Sequence, residues 1–241
     1  MLDDLRVLLA EVPPGAARAA YAEAVVDRNV LGKPTKKARE LALRHLATLY
    51  GLDAGVPLFR ALRRLWPFSE AGQPFLALLV ALARDPLLRK TQEFILTREP
   101  GTQVPRSDLE NQLAQNQPER FSAASLKSFA QNVNGTWTSA GFLHGRIRKV
   151  RSVPVLTPSV VVLCLFLAHL EGLSGQRLFS SSWAKLLPGG RLEWESLAAT
   201  AAHQGVLVFL NAGGVKEVRF PDFLTAEEER IRQEAAHVVQ A

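Results

Sequence analysis

Residues 160–168 read VVVLCLFLA, nine consecutive apolar side chains in a chain of 241 residues. Whether this run crosses a membrane or fills a core decides the fold. A helix needs about 20 apolar residues to span a bilayer, and this run is roughly half that length, as is FLALLVALA at residues 75–83. Both runs are expected to be buried core helices.

Working outward from these two runs, the chain reads as helix after helix. In the first half the expected helices are Leu2 to Glu11, Ala16 to Asp27, Thr35 to Tyr50, Val56 to Leu65, Gln73 to Arg84 and Pro86 to Leu96. The third places Ala38, Leu41, Ala42, His45, Leu46 and Leu49 on one face and stops at Gly51. Pro86 suits the first turn of the last, where its missing N–H costs nothing. The aperiodic TREPGTQV at residues 97–104 marks a boundary between an N-terminal helical domain (1–100) and a C-terminal one (101–241).

The second half has a different texture. Helices are expected at Ser107 to Gln115 and Ser122 to Val133, followed by an Asn134-Gly135 turn and a short helix from Thr136 to Leu143. RKVRSVPVLTP then reads as an extended arm or edge strand, since Pro154 cannot sit in a central strand. Further helices are expected at Pro158 to Glu171, Gly175 to Leu187 and Leu192 to Gln204. After them, VLVFL, the turn NAGG and VKEVRF predict a β-hairpin over 206–220, with Asn211 to Gly214 supplying the positive-φ positions, and a Glu-rich helical tail follows from Thr225. The fold class is thus mainly α, a helical bundle with helix-turn-helix-like elements and a small C-terminal hairpin.

Composition narrows the function. With 47% apolar and 22% charged residues the chain is an ordinary globular one, and its net charge of +6 favours a polyanionic partner. A single cysteine, Cys164, allows no intrachain disulfide and no thiolate-rich metal site, which fits a reducing cytosol. MLDDLRVLLAEV opens with acids where a secretory signal carries positive charge, so a cytoplasmic location is expected. His45, His144, His169, His203 and His237 have no metal-ligand spacing, no phosphate-binding or nucleophile motif occurs, and Cys164 reads as an inert core thiol. No enzymatic activity, metal or cofactor is therefore expected.

The cations are unevenly placed. From Arg28 to Arg64 nine basic residues face two acids, and from Arg120 to Leu170 there are six basic residues and no acid at all. Four of the six, Arg146, Arg148, Lys149 and Arg151, lie in one short run. Charge on a helix face is usually a solvated surface, but a solubilising surface normally mixes signs, and this run does not. A helix beginning at Thr136 would offer free backbone N–H groups and a hydroxyl to one phosphate, with the basic arm following the backbone of double-stranded DNA. Trp137 packs in the core or stacks on a nucleotide, and core packing is the commoner of the two. Residues 175–220 have the order of a winged helix, yet the would-be recognition helix LEWESLAATAAHQ carries two acids and no base, which suits packing better than phosphate contact.

Three stretches carry a family resemblance: RNVLGKPTKKARELALRHLATLYG (28–51), FLALLVALARDPLLR (75–89) and HQGVLVFLNAGGVKEVRFPDF (203–223). Together they resemble the BrxA family of bacterial BREX phage-defence systems, over about residues 25 to 223. The resemblance implies a mainly helical DNA-binding protein, part of it similar to the NusB antitermination fold, acting beside a methyltransferase and other phage-defence proteins. It carries no catalytic motif. Members have been labelled inner-membrane proteins, a label the lengths of the two apolar runs argue against. Lys33, Lys36, Lys37 and Arg39 lie within the first matching stretch and are candidates on charge.

The sequence therefore predicts a DNA-binding protein that contacts phosphates through Lys33, Lys36, Lys37, Arg39, Lys127, Thr136, Arg146, Arg148, Lys149 and Arg151. Two other readings stay open. One is an assembly adaptor whose basic face meets acidic proteins, and the other is an RNA-binding protein, for which no aromatic-rich sheet motif is present.

Overall fold

Local signals place most of the helices. Those before residue 100 are α1 (Leu2–Glu11), α2 (Arg18–Ala22), α3 (Lys36–Tyr50), α4 (Pro57–Leu65), α5 (Gln73–Arg84), α6 (Pro86–Arg89) and α7 (Gln92–Leu96). After it come α8 (Arg106–Asn116), α9 (Ala123–Ser139), strands β1 (Leu143–His144) and β2 (Val150–Arg151), α10 (Pro158–Leu170), α11 (Arg191–His203), strands β3 (Val208–Ala212) and β4 (Val215–Arg219), and α12 (Ala226–Val239). The Thr35 hydroxyl caps α3 by accepting from the Ala38 N–H, and the Asp85 carboxylate caps α6 by accepting from Leu87 and Leu88. Gly51 closes α3 at φ +93, a conformation that suits glycine. Thr225 and Glu228 cap α12 reciprocally, each side chain accepting from the other's backbone N–H.

These elements belong to a computed structural model that describes residues 1–116 and 122–239, the side chains of 116 and 236–239 excepted. Arg120 and the His237 side chain therefore lie outside the described residues. The chain is mainly helical, with a small antiparallel hairpin near the C-terminus.

The VVVLCLFLA run forms the middle of α10, and every residue from Ser159 to Ala168 is buried. Around it pack α4, α5 and α11. Helix α5 carries the second apolar run and is buried from Phe75 to Leu82. Burying such side chains is worth about 1.5–3 kcal/mol each, so these two short helices dominate the core. Among the described residues no helix is long and apolar enough to cross a membrane. Buried side chains from both sides of the 97–104 turn, from Leu5 to Phe223, form one cluster. The C-terminal hairpin turns at Gly213 (φ +58) and Gly214 (φ +83), the pair of positive angles that a two-residue hairpin turn demands.

The structure departs from the sequence reading at five places. Asn134-Gly135 is no turn: α9 runs straight through it, because Ala130, Val133 and Trp137 continue one buried stripe across the pair. Pro86 to Leu96 is broken in two at Lys90-Thr91, where the Thr91 hydroxyl donates to the Leu88 carbonyl. Gly175 to Leu187 is two 3-10 turns, Gly175–Ser180 and Ala184–Leu186, separated at Ser181, which is extended and accepts from the Ala184 N–H. Ala16 to Asp27 is α2 running into a π-helical turn, Glu23–Asp27. In α3 the buried face is Ala42, Leu46 and Tyr50, leaving Leu41 and His45 exposed.

Trp137 is fully buried and stacks edge-on against Phe142, which does the same against Phe75. The winged-helix order expected over 175–220 loses its first helix to the two 3-10 turns, while α11 packs against α10 and β3. Glu195 of α11 accepts from both Arg191 and Lys216 of β4, so an acid of the would-be recognition helix anchors the wing.

Candidate nucleic-acid interface

Most of the N-terminal cations already have partners. Lys33 pairs with Asp4 at 2.7 Å, Arg28 with Glu11 at 3.8 Å, Arg64 with Asp222 at 3.4 Å, and Arg60 with Glu228. Arg39 donates to the Val26 carbonyl at 2.6 Å, and buried Arg63 donates to the carbonyls of Leu9 and Val12 at the end of α1, both at 2.6 Å. Lys33 and Arg39, both expected to meet phosphate, are thus committed to the fold. Lys36, Lys37 and Arg44 are exposed on α3 with no ion pair among the described residues.

The basic run at 146–151 is split by the fold. β1 and β2 pair antiparallel, Leu143 opposite Arg151 and His144 opposite Val150, so residues 145–149 form the tip of a short finger. Arg151 is its root and not part of its surface. Its guanidinium is buried, donates to the carbonyls of Ile95 (3.1 Å), Phe142 (3.1 Å) and Ser152, and burial pushes its pKa down from the ordinary arginine value. Its backbone binds residues 101–102: the Gly101 N–H donates to the Arg151 carbonyl, and the Arg151 N–H to the Thr102 carbonyl, both at 2.8 Å. The counter-charge absent from the neighbouring sequence is replaced at this position by carbonyl dipoles. Arg151 is therefore withdrawn from the phosphate-contacting set.

Thr136 is withdrawn as well. It sits in the last turns of α9 and its hydroxyl donates to the Asn132 carbonyl at 3.0 Å, so there is no free helix N-terminus there. The order "helix, turn, basic arm" becomes "long helix, basic finger".

What the finger overhangs is a groove of about 520 Å³. One wall is α9 through Gln131, Asn134 and Gly135, the other is the segment from Gln103 to Arg106, and Arg146 to Lys149 close the end. No Asp or Glu lines it among the described residues. Lys127 is exposed on α9 and stands one turn before Gln131 on the same helical face, extending the basic track beyond the groove. Gly135 presents bare backbone, with open space where a Cβ would be. The Asn134 side chain is buried and its Oδ1 has no partner among the described residues.

The four cations differ in freedom. Arg106 is paired with Glu110 at 2.6 Å, and Lys149 donates to the Gly145 carbonyl at 2.6 Å. Arg146 and Arg148 are exposed with no hydrogen bond or ion pair among the described residues. Planar guanidinium groups in that position match phosphate oxygens two at a time, while the Gln103 and Gln131 amides of the walls suit sugar and base edges. Sequence reasoning missed Arg106, Gln103, Gln131 and Asn134, since nothing local in the chain marks residues that only meet across the groove.

A larger cleft of about 840 Å³ lies between Arg89, Lys90, Gln92, Glu93, Thr97 and Lys185. Its arginine is spoken for: Arg89 pairs with Glu171 at 2.9 Å and lies 4.0 Å over the Trp183 ring. Glu93 adds negative charge to its lining. No acid lines the smaller groove among the described residues.

Among the described residues no group of three or more His, Cys, Asp or Glu could hold a metal ion. Cys164 is fully buried, and burial pushes its thiol far above the ordinary range.

No protein-family model matches the chain, nor does any curated protein. Two solved structures resemble it over nearly its whole length. One is SspB, with 13% identity, coverage of 98% of this chain and 94% of that one, and a TM-score of 0.53. The other is magnesium-ion-bound SspB, with 12% identity, coverage of 97% and 92%, and a TM-score of 0.54. At such identity the likeness is one of fold.

Proposed function

We propose that the chain is a non-enzymatic protein that binds double-stranded DNA along the α9 groove, in a reducing cytosol. The observation that carries this reading is the state of Arg146 and Arg148: two exposed guanidinium groups without partners among the described residues, at the end of an acid-free groove, on a protein whose other arginines are largely paired. Arg146 and Arg148 take phosphates, Lys127, Arg106 and Lys149 extend the interface along the backbone, and Arg151 is a positioning residue that holds the finger to the core. Lys36 and Lys37 form a second cationic patch on α3. Binding of this kind neutralises phosphates and releases counterions, so affinity falls steeply with salt.

The resemblance of three sequence stretches to the BrxA family supports placing this binding in a phage-defence system. Adjacent genes for a methyltransferase and an ATPase would agree with it.

Gel shifts on a duplex at several salt concentrations test the central claim. With Arg146 and Arg148 both changed to Ala, the dependence of log affinity on log salt is expected to become shallower by about 1.8, since each phosphate neutralised by a cation adds about 0.9 to the slope. Unchanged affinity and slope would remove the finger from the site. A protein partner retained after nuclease treatment, with no duplex binding by the purified chain, would favour the adaptor reading, and stronger binding to RNA in direct competition would favour the RNA one.

A further inference from the structure

The finger carries one residue that phosphate binding does not use. Ile147, between Arg146 and Arg148, is 92% exposed, more than any other large apolar side chain described. A β-branched side chain held fully in water, on a tip otherwise made of cations and glycine, contributes nothing to this fold.

We infer that the tip is a minor-groove wedge: Ile147 enters a base step while Arg146 and Arg148 straddle it on the two flanking backbones. This rests on the DNA-binding reading above. The chemistry of the tip asks for an apolar slot bordered on both sides by negative charge. Stacked base pairs between two phosphate backbones provide that arrangement. Proteins that read the minor groove insert Ile, Leu, Phe or Met between base steps and kink the duplex by about 20–90°. The groove is about 6 Å wide, which admits a loop tip but not a helix, and its negative potential attracts arginine. An anionic membrane also attracts cations with an apolar residue, but here a single apolar side chain is exposed at the tip, and the adjoining groove has the polar residues Gln103 and Gln131 in its walls. Those walls suit sugar and base edges and would gain nothing from lipid.

A wedge must also be stiff, or insertion spends itself in ordering the loop. The finger has this stiffness at three levels. Gly145 turns at φ +93 with the Arg148 carbonyl oxygen packed where a Cβ would stand. Lys149 reaches back across the loop to the Gly145 carbonyl at 2.6 Å, and the Val104 N–H donates to the Lys149 carbonyl at 2.8 Å. Below them, buried Arg151 fixes the root to the core. Ile147 itself has a restricted χ1, so its side chain is presented in few conformations.

The test uses the full chain and a duplex with 2-aminopurine at its centre and a donor–acceptor dye pair at its ends. Wild-type protein is expected to raise the 2-aminopurine emission by unstacking and to shorten the end-to-end distance by bending. Ile147→Ser should abolish both signals and weaken binding about tenfold, while Ile147→Leu keeps them. Because the side chain is exposed, neither change threatens folding, which circular dichroism checks. Duplex binding by the wild type without either signal, or signals that survive Ile147→Ser, overturns the wedge while leaving DNA binding standing. Absence of duplex binding by the wild type overturns both, and binding of the wild type to phosphatidylserine vesicles in place of the duplex assigns the tip to a membrane.

Discussion

The indole N–H of Trp137 donates a 2.9 Å hydrogen bond to the hydroxyl of Thr91, and both side chains are fully buried. That bond ties α9 to the gap between α6 and α7, because Thr91 in turn donates to the Leu88 carbonyl at 2.7 Å. Thr91→Val keeps the shape but leaves the indole N–H without a partner, which is expected to cost about 1–3 kcal/mol of stability in urea unfolding. DNA affinity of the folded variant should be unchanged, since neither residue reaches the groove.

Arg151 and Arg148 lie three positions apart and should separate cleanly by assay. Arg151→Met removes the guanidinium bonds to the carbonyls of Ile95, Phe142 and Ser152 and is expected to destabilise by on the order of 2 kcal/mol, seen as a fall in Tm. Arg148→Ala is expected to move stability by no more than about 0.5 kcal/mol. Its effect belongs to the salt titration, where the slope should fall by about 0.9.

Two glycines beside the groove carry opposite expectations. Gly145→Ala places a methyl against the Arg148 carbonyl at a positive φ, so the finger must distort, and duplex affinity is expected to drop although every cation is present. Gly135→Ala lies inside α9 with open space at the new Cβ and is expected to stabilise by about 1 kcal/mol, read as a higher denaturation midpoint. A destabilised Gly135→Ala variant would mean that the chain does turn at that pair.

Acidification should loosen α12. Glu229 accepts from Arg232 at 2.6 and 3.0 Å and lies 3.2 Å from His169 on α10, and chiefly the Arg232 bonds hold its pKa at about 2, against 4.5 for an ordinary Glu. The folded value is depressed, so the stabilisation is complete above about pH 4.5 and is lost as pH falls toward 2. Burial likewise lowers the pKa of His169 below the ordinary 6.5, with Arg232 adding to it and Glu229 opposing it, so protonation below that pH also disfavours the folded state. Protection of the α12 amides, as exchange relative to the unfolded-chain rate at each pH, is expected to fall over this range, and Glu229→Gln should flatten the part below pH 4.5.

Where the reading of the chain succeeded, the information was local. Thr35 and Gly51 bracket α3, proline opens α4, α5, α6 and α10, and Gly213-Gly214 turns the hairpin, each through a dihedral or hydrogen-bond preference acting within a few residues. The lengths of the two apolar runs were enough to make them core helices. At Asn134-Gly135 the same kind of reasoning failed, because a turn preference worth about 1 kcal/mol met the burial of Val133 and Trp137 on one helical stripe, worth several kcal/mol.

The site divides along the same line. From sequence alone the cations of residues 127–151 stood out as an acid-free basic segment, and Lys127, Arg146, Arg148 and Lys149 remain in the proposed interface. Which cations are free was decided only by the tertiary structure, because Coulomb and hydrogen-bond energies depend on distance in space. Lys33 found Asp4 and Arg60 found Glu228, while Arg151 found the carbonyls of Ile95 and Phe142, partners between nine and 168 positions away. The sequence by itself determined a helical, cationic protein with two short core helices. Folding decided that Arg146 and Arg148 stand without partners among the described residues beside a groove, since only packing brings α9, Gln103 to Arg106 and the finger together.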